Sequence, residues 1–151
     1  MWIYYLVILT ITVIDQGVKA WTVAQMPLGS EVPLIPNVVS LFHLRNTGAA
    51  WGMLADQQTL FLIITVAVVM VLLYTLHKQG RQSVLYGLSL SLIIAGAIGN
   101  FIDRVRLHYV VDMFKLEFIN FPIFNVADTA ITIGVILMII YLFFFEEGKH
   151  A

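Results

Sequence analysis

An all-α polytopic membrane fold, four transmembrane helices with a small interfacial β-sheet, is what this sequence predicts. Of its 151 residues 60% are apolar, above the ~45–50% usual for a soluble domain, and only 11% are charged. Mean hydropathy is +0.93. A bilayer core about 30 Å thick needs roughly 20 mostly apolar residues at 1.5 Å each. Four stretches of that kind fall at about 2–22, 58–76, 84–102 and 127–145.

The first stretch opens on Met1-Trp2 without a positive n-region, Asp15 and Lys19 interrupt its second half, and no clean small-residue cleavage site follows. It therefore reads as a retained span and not as a removed signal peptide. The segment 23–57 is too long for a structureless loop. Val38 to Leu44 is β-branched and aromatic, bounded by Pro33, Pro36, Asn37 and Gly48, as strands are. The second span includes an uncharged run from Leu60 to Leu76, which favours membrane over a buried soluble helix. In the third, Gly96 and Gly99 allow close helix approach, and Ser89 and Ser91 read as packing residues. Segment 103–126 holds a second strand signal at Tyr109-Val110-Val111, and the fourth span follows Asp128. Trp2, Trp21 and Trp51 read as interface anchors. With no repeat, low-complexity tract or linker, residues 1–151 parse as a single domain.

Composition removes several functions. A net charge of −1 with scattered basic residues leaves no footprint for nucleic acid. The absence of cysteine excludes disulfides, thiolate metal sites, Cys nucleophiles and iron–sulfur clusters. His43, His77, His108 and His150 have no H-E-x-x-H spacing and lie outside the predicted spans, so no metal site is expected. Ser89 and Ser91 lack a G-x-S-x-G setting and an activating base in the bilayer. No P-loop pattern supports nucleotide binding.

Four crossings place the C-terminal ends of spans one and three and the N-terminal end of span four at one membrane face. Asp15, Lys19, Asn100, Asp103, Arg104 and Asp128 belong to those ends. Which face this is does not follow from the positive-inside rule. Lys78, Arg81 and Lys149 lie on one side and Lys19, Arg45, Arg104, Arg106 and Lys115 on the other.

An ionisable group at membrane depth costs at least ~2.5–3.5 kcal/mol on insertion scales and marks function by default. Asp15 and Lys19, four apart on one helix face, also fit a plain ion pair. Asp128, with Asn125 three residues before it, also fits a helix cap. Asp103, Arg104 and Arg106 also fit polar flanks ending span three. Asp112, a lone carboxylate in Val110-Val111-Asp112-Met113-Phe114, is a candidate for a buried acid of raised pKa. If Asp112 and Asp128 face each other, like charges in close contact cannot both ionise and the pair shares a proton, as a hydrolytic dyad does. From the residues alone this pairing and the bland readings both stand.

Five blocks in order carry a resemblance. They are Asp15-Gln16-x-x-Lys19, Arg45-Asn46-Thr47-Gly48-Ala49-Ala50-Trp51-Gly52, Gly99-Asn100-Phe101-Ile102-Asp103-Arg104, Val110-Val111-Asp112-Met113-Phe114 and Phe121-Pro122-x-Phe124-Asn125-x-Ala127-Asp128. Spread over nearly the whole chain, they resemble the bacterial lipoprotein signal peptidases, signal peptidase II. The resemblance implies a catalytic dyad of Asp112 and Asp128, supported by Asp15, Asn46, Asn100, Asp103, Arg104 and Asn125, with no metal or cofactor. It implies cleavage of a prolipoprotein just before a diacylglyceryl-modified cysteine, on the outer face of the cytoplasmic membrane, with both termini cytoplasmic. Membrane lipid is then a partner and no obligate protein partner is inferred. Segments 38–52 and 104–126 are expected to form a cradle and extracytoplasmic lid over the lipidated residue. Two departures are Thr129, where the family often has Ser and where a helix-start acceptor is expected, and a short acidic tail, Phe145 to Lys149.

Two other functions compete. One is an ion-coupled transporter with Asp15 and Asp128 along its pathway; the other is a non-enzymatic assembly subunit. Neither gives Asp112, outside the spans, a task.

Overall fold

The computed structural model describes residues 1–48 and 57–146. In chain order it comprises α1 (Trp2–Gln25), β1 (Glu31–Ile35), β2 (Val39–Asn46), α2 (Gln58–Gln79), α3 (Val84–Leu107), β3 (Val110–Leu116) and α4 (Val126–Tyr141). A π-helical turn, Leu142–Glu146, extends α4. α1, α2 and α3, and α4 together with its extension to Phe144, are each long and apolar enough to cross a membrane.

Small residues make α3 the central helix. It packs on α1, α2 and α4 and buries Gly87, Ser89, Ser91, Ala95, Gly96 and Gly99, the kind of surface that lets helix backbones approach where lipid supplies no hydrophobic drive. A Cβ at Gly96 would run into the Ala127 carbonyl at the start of α4, and one at Gly99 would lie 2.6 Å from Asp15 Oδ2. Ser89 and Ser91 bond back to the carbonyls of Tyr86 and Gly87, consistent with packing. One apolar cluster joins Tyr4 and Ile8 of α1, Leu76 of α2 and Leu90, Ile94 and Ala95 of α3. α2 is otherwise peripheral, burying Leu76 alone among its described residues.

The described strands form an antiparallel sheet in the order β1-β2-β3. Asn37, with φ 61°, makes the turn from β1 to β2. His108 ends α3 in the left-handed conformation, φ 64°, which Asn, Asp and His tolerate better than most residues, and the chain enters β3 two residues later. A register shift between Leu41 and Leu44 sets Asp112 opposite Leu44. Val111 and Met113 on β3 pack with Met26 and Leu41, so the sheet sits on the end of α1. Lys115 reaches Glu31 at 2.7 and 2.9 Å across the strands.

Several boundaries differ from expectation. α1, α2 and α3 run three to five residues past the expected ends at 22, 76 and 102. α3 continues because Asp103 finds partners inside the protein instead of flanking the helix. His77 therefore lies in the last turn of α2, not outside the span. β1, across Pro33, was not anticipated. Proline is compatible with an edge strand, and Pro33 pairs with Ser40. Trp2 and Trp21 are exposed; Trp51 lies outside the described residues.

Candidate active site

Asp15, Lys19 and Asp103, almost free of solvent, meet between α1 and α3. Lys19 Nζ lies 2.9 Å from Asp15 Oδ2 and 3.1 Å from Asp103 Oδ2, and donates to Asn100 Oδ1 at 3.0 Å. Gln16 Nε2 donates to Asp15 Oδ2 at 3.2 Å and to Asp103 Oδ1 at 2.9 Å. Buried charges survive only with such pairing. Each acid also holds a distant backbone. Asp15 Oδ1 accepts from Ala127 N at 2.9 Å, and Asp103 Oδ2 accepts from Val111 N at 3.0 Å. Those amides immediately precede Asp128 and Asp112. The ion cluster thus grips, one residue away, both segments that carry the candidate acids.

Asn125 joins the two acids. It caps α4, its Oδ1 accepting from Asp128 N at 2.9 Å while its own N donates to Asp128 Oδ2 at 3.2 Å, a reciprocal capping box. Asp128 is therefore the third residue of the helix and not the cap itself. Asn125 Nδ2 donates to Asp112 Oδ1 at 2.7 Å and to Asn100 Oδ1 at 3.1 Å. Asn100 Nδ2 donates to Asp128 Oδ1 at 2.7 Å, and Asn46 Nδ2, from β2, to Asp112 Oδ2 at 2.9 Å. Both acids are oriented by amides, and among the described residues no lysine or arginine forms a salt bridge with either.

Asp112 and Asp128 line one cavity of about 430 Å³, with Asn46, Asn100 and Arg104 on its polar side and Leu116, Phe121, Phe124, Ile131 and Ile133 on its apolar side. Arg104 donates to the Gly48 carbonyl at 3.3 Å, and its guanidinium lies 4.8 Å from the Phe61 ring centroid, tying α3 to the bend after β2 and to α2. Its Nε is buried without a partner among the described residues. Burial, and then the neighbouring charge of Asp128, push the Asp112 carboxyl up to about 7, against the opposing pull of the Asn46 and Asn125 amides. The arrangement sets two carboxylates on one largely apolar cavity, one of them with a raised proton affinity, as general acid–base chemistry requires.

All eight residues singled out from the sequence, Asp15, Asn46, Asn100, Asp103, Arg104, Asp112, Asn125 and Asp128, converge here. Lys19 and Gln16 were missed as parts of the site. Lys19 was legible as an ion pair with Asp15, but its bonds to Asp103 and Asn100 depend on how α1 meets α3. Thr129 departs from expectation, because its hydroxyl donates to the Asn125 carbonyl at 2.9 Å instead of accepting at the helix start.

The chain is similar throughout its length to known proteins. A family model for signal peptidase (SPase) II matches residues 7–144. The lipoprotein signal peptidase of Latilactobacillus sakei is 50% identical over 150 residues, 99% of each chain. That of Enterococcus faecalis is 49% identical over 153 residues, 99% of this chain and 95% of the relative. That of Streptococcus pneumoniae is 52% identical over 134 residues, 89% and 88%. Two solved structures of bacterial membrane enzymes superpose closely. One has a TM-score of 0.91 at 38% identity, covering 95% of this chain and 88% of that one. The other has 0.89 at 37%, covering 96% and 95%.

Proposed function

Because this chain belongs to the signal peptidase II family, a family of membrane peptidases acting on prolipoproteins, we propose that it is an aspartic endopeptidase whose dyad is Asp112 and Asp128. Its substrate is a diacylglyceryl-modified prolipoprotein, cut just before the lipidated cysteine. The observation that carries this reading is Asn125, whose side chain donates to the Asp112 carboxylate and whose backbone N–H donates to the Asp128 carboxylate, beside the one cavity that both acids line.

The pair begins with one proton. The ionised carboxylate takes a proton from water as the water oxygen attacks the scissile carbonyl carbon, and the protonated acid gives its proton to the carbonyl oxygen. The tetrahedral intermediate then collapses. Its hydroxyl proton returns to the pair, the leaving amine takes a proton from the pair as the C–N bond breaks, and one shared proton remains. Asn46, Asn100 and Asn125 hold the carboxylates in register. Asp15 and Asp103 fix the backbone beside each acid, and Arg104 closes the cavity toward α2.

The site lies where the helices end, so water reaches the dyad while the signal helix and acyl chains stay in lipid. In the cytoplasmic membrane of a bacterium this end faces outward, with both termini in the cytoplasm. The whole chain acts as one domain, and the segments flanking the cavity serve as cradle and lid. No metal or cofactor is needed, and no obligate protein partner.

The test is cleavage of a diacylglyceryl-modified prolipoprotein by purified full-length protein. Asp112→Asn and Asp128→Asn should each lose at least about a hundredfold in turnover, the scale of a general acid–base contribution, while staying folded, and chelator should have no effect. Substantial turnover by either folded variant overturns the dyad; loss of activity in chelator overturns the metal-free mechanism.

A further inference from the structure

A second apolar trough, of about 440 Å³, adjoins the dyad cavity. Leu34 and Val39 of the sheet, the rings of Phe114 and Phe124, and Val126 and Thr129 of the first turn of α4 wall it. Phe124 and Thr129 also line the dyad cavity, and Thr129 directly follows Asp128. We propose that this trough takes one acyl chain of the diacylglyceryl group on the substrate's cysteine. The inference rests on the function proposed above and goes further in assigning the lipid a place.

Three features select hydrocarbon as the occupant. Among the described residues, the surface lining the trough is apolar. Phe114 and Phe124 exchange backbone bonds at 2.8 and 3.1 Å, β2 is paired on both sides, and the Thr129 hydroxyl is spent on the Asn125 carbonyl. A peptide laid there would strand its own N–H and C=O groups; an acyl chain has none. Second, the dividing wall is fixed, since the rings of Phe114 and Phe124 pack at 5.6 Å between centroids. A chain leaving the dyad cavity therefore meets a built surface. Third, the outer mouth is lipophilic. Leu34 is 51% exposed, and Ile35 and Val38 of the same hairpin are exposed beside it, as are Ile133 and Ile136 on α4, a membrane-spanning helix. The chain can slide in from the bilayer without crossing water.

Moving hydrocarbon from lipid to an apolar trough gains little transfer energy. The benefit is orientation, holding the lipidated residue so that the adjacent peptide bond meets the dyad. The informative measurement is therefore where the chain lies.

The probe is a prolipoprotein peptide whose diacylglyceryl cysteine carries a diazirine at the end of one acyl chain, mixed with full-length protein in phosphatidylcholine nanodiscs and mapped by mass spectrometry after illumination. Wild type reports cleavage, and Asp112→Asn holds the uncut substrate. A parallel sample carries the same diazirine on phosphatidylglycerol. Expected is labelling at Leu34, Val39 and Phe114 several-fold above that from the phospholipid probe, with a several-fold drop in Leu34→Trp, a change at an exposed position that narrows the trough. Equal labelling by the two probes, or substrate label confined to α2 and the remainder of α4, overturns the inference while wild-type cleavage leaves the proposed function standing. Absence of wild-type cleavage removes both.

Discussion

Replacing Asp112 with asparagine should stabilise the protein increasingly as pH rises above the ordinary aspartate range, and most at neutral and higher pH. The folded chain holds this carboxyl's proton up to about pH 7, against 3.8 for an unperturbed aspartate. Below about pH 4 the acid is protonated folded or unfolded and contributes no difference. Between the two values the unfolded chain releases the proton and the folded one keeps it, so stability falls as pH rises; above the folded value the full cost is present. At 1.36 kcal/mol per unit, a shift of this size corresponds to about 4 kcal/mol. Asparagine never ionises and escapes that cost, although its amide nitrogen must face either Asn46 or Asn125, both donors to Asp112, at a loss of about 1 kcal/mol. Thermal unfolding of wild type and Asp112→Asn from pH 4 to 8.5 should give a difference in Tm that starts at or slightly below zero, rises through the mildly acidic range and levels off above pH 7. A difference independent of pH, or one that shrinks as pH rises, would refute the claim that burial and Asp128 raise this acid's proton affinity.

Asn46→Ala removes one of the two amide bonds that hold the Asp112 carboxyl down, so the pH limits of cleavage set by the pair should move upward by about one unit, the worth of a hydrogen bond to a charged group; a pH–rate profile measures it. Lys19→Met leaves Asp15 and Asp103 buried without their shared cation and should cost about 3–5 kcal/mol, read as lost thermal stability in detergent. Gly96→Ala drives a methyl into the Ala127 carbonyl. It should cost about 1–3 kcal/mol and lower turnover by moving the start of α4, whereas Gly17→Ala, with open space around it, should be neutral or stabilising by up to about 1 kcal/mol.

Much of this architecture is legible in the amino-acid order, for physical reasons that also mark where legibility stops. Spans declare themselves because lipid demands about 20 apolar residues, and counting crossings alone brings Asp15, Asn100, Asp103 and Asp128 to one face. A cap at the start of α4 is readable because capping is local, although it falls on Asn125 and not on Asp128. Contacts between distant segments are a different matter. That Asp15 holds Ala127 N and Asp103 holds Val111 N depends on the rotation of α1 against α3, which no local pattern encodes. β1 was hidden by Pro33, which reads as a strand boundary unless the strand lies at an edge. Likewise β3 continues through Lys115, whose charge obscures a strand until its partner Glu31 is in place. The meeting of Asp112 and Asp128 at one cavity is a long-range feature of the same kind, and the family blocks supplied the expectation of a dyad where residue chemistry left it open.

Infrared difference spectroscopy on protein with ¹³C-labelled aspartate addresses the shared proton most directly. One carboxylic-acid band per molecule should be present at mildly acidic pH, titrate away near pH 7 and be missing from Asp112→Asn. No titrating carboxyl in that range, or a band that survives in Asp112→Asn unchanged, would contradict the account.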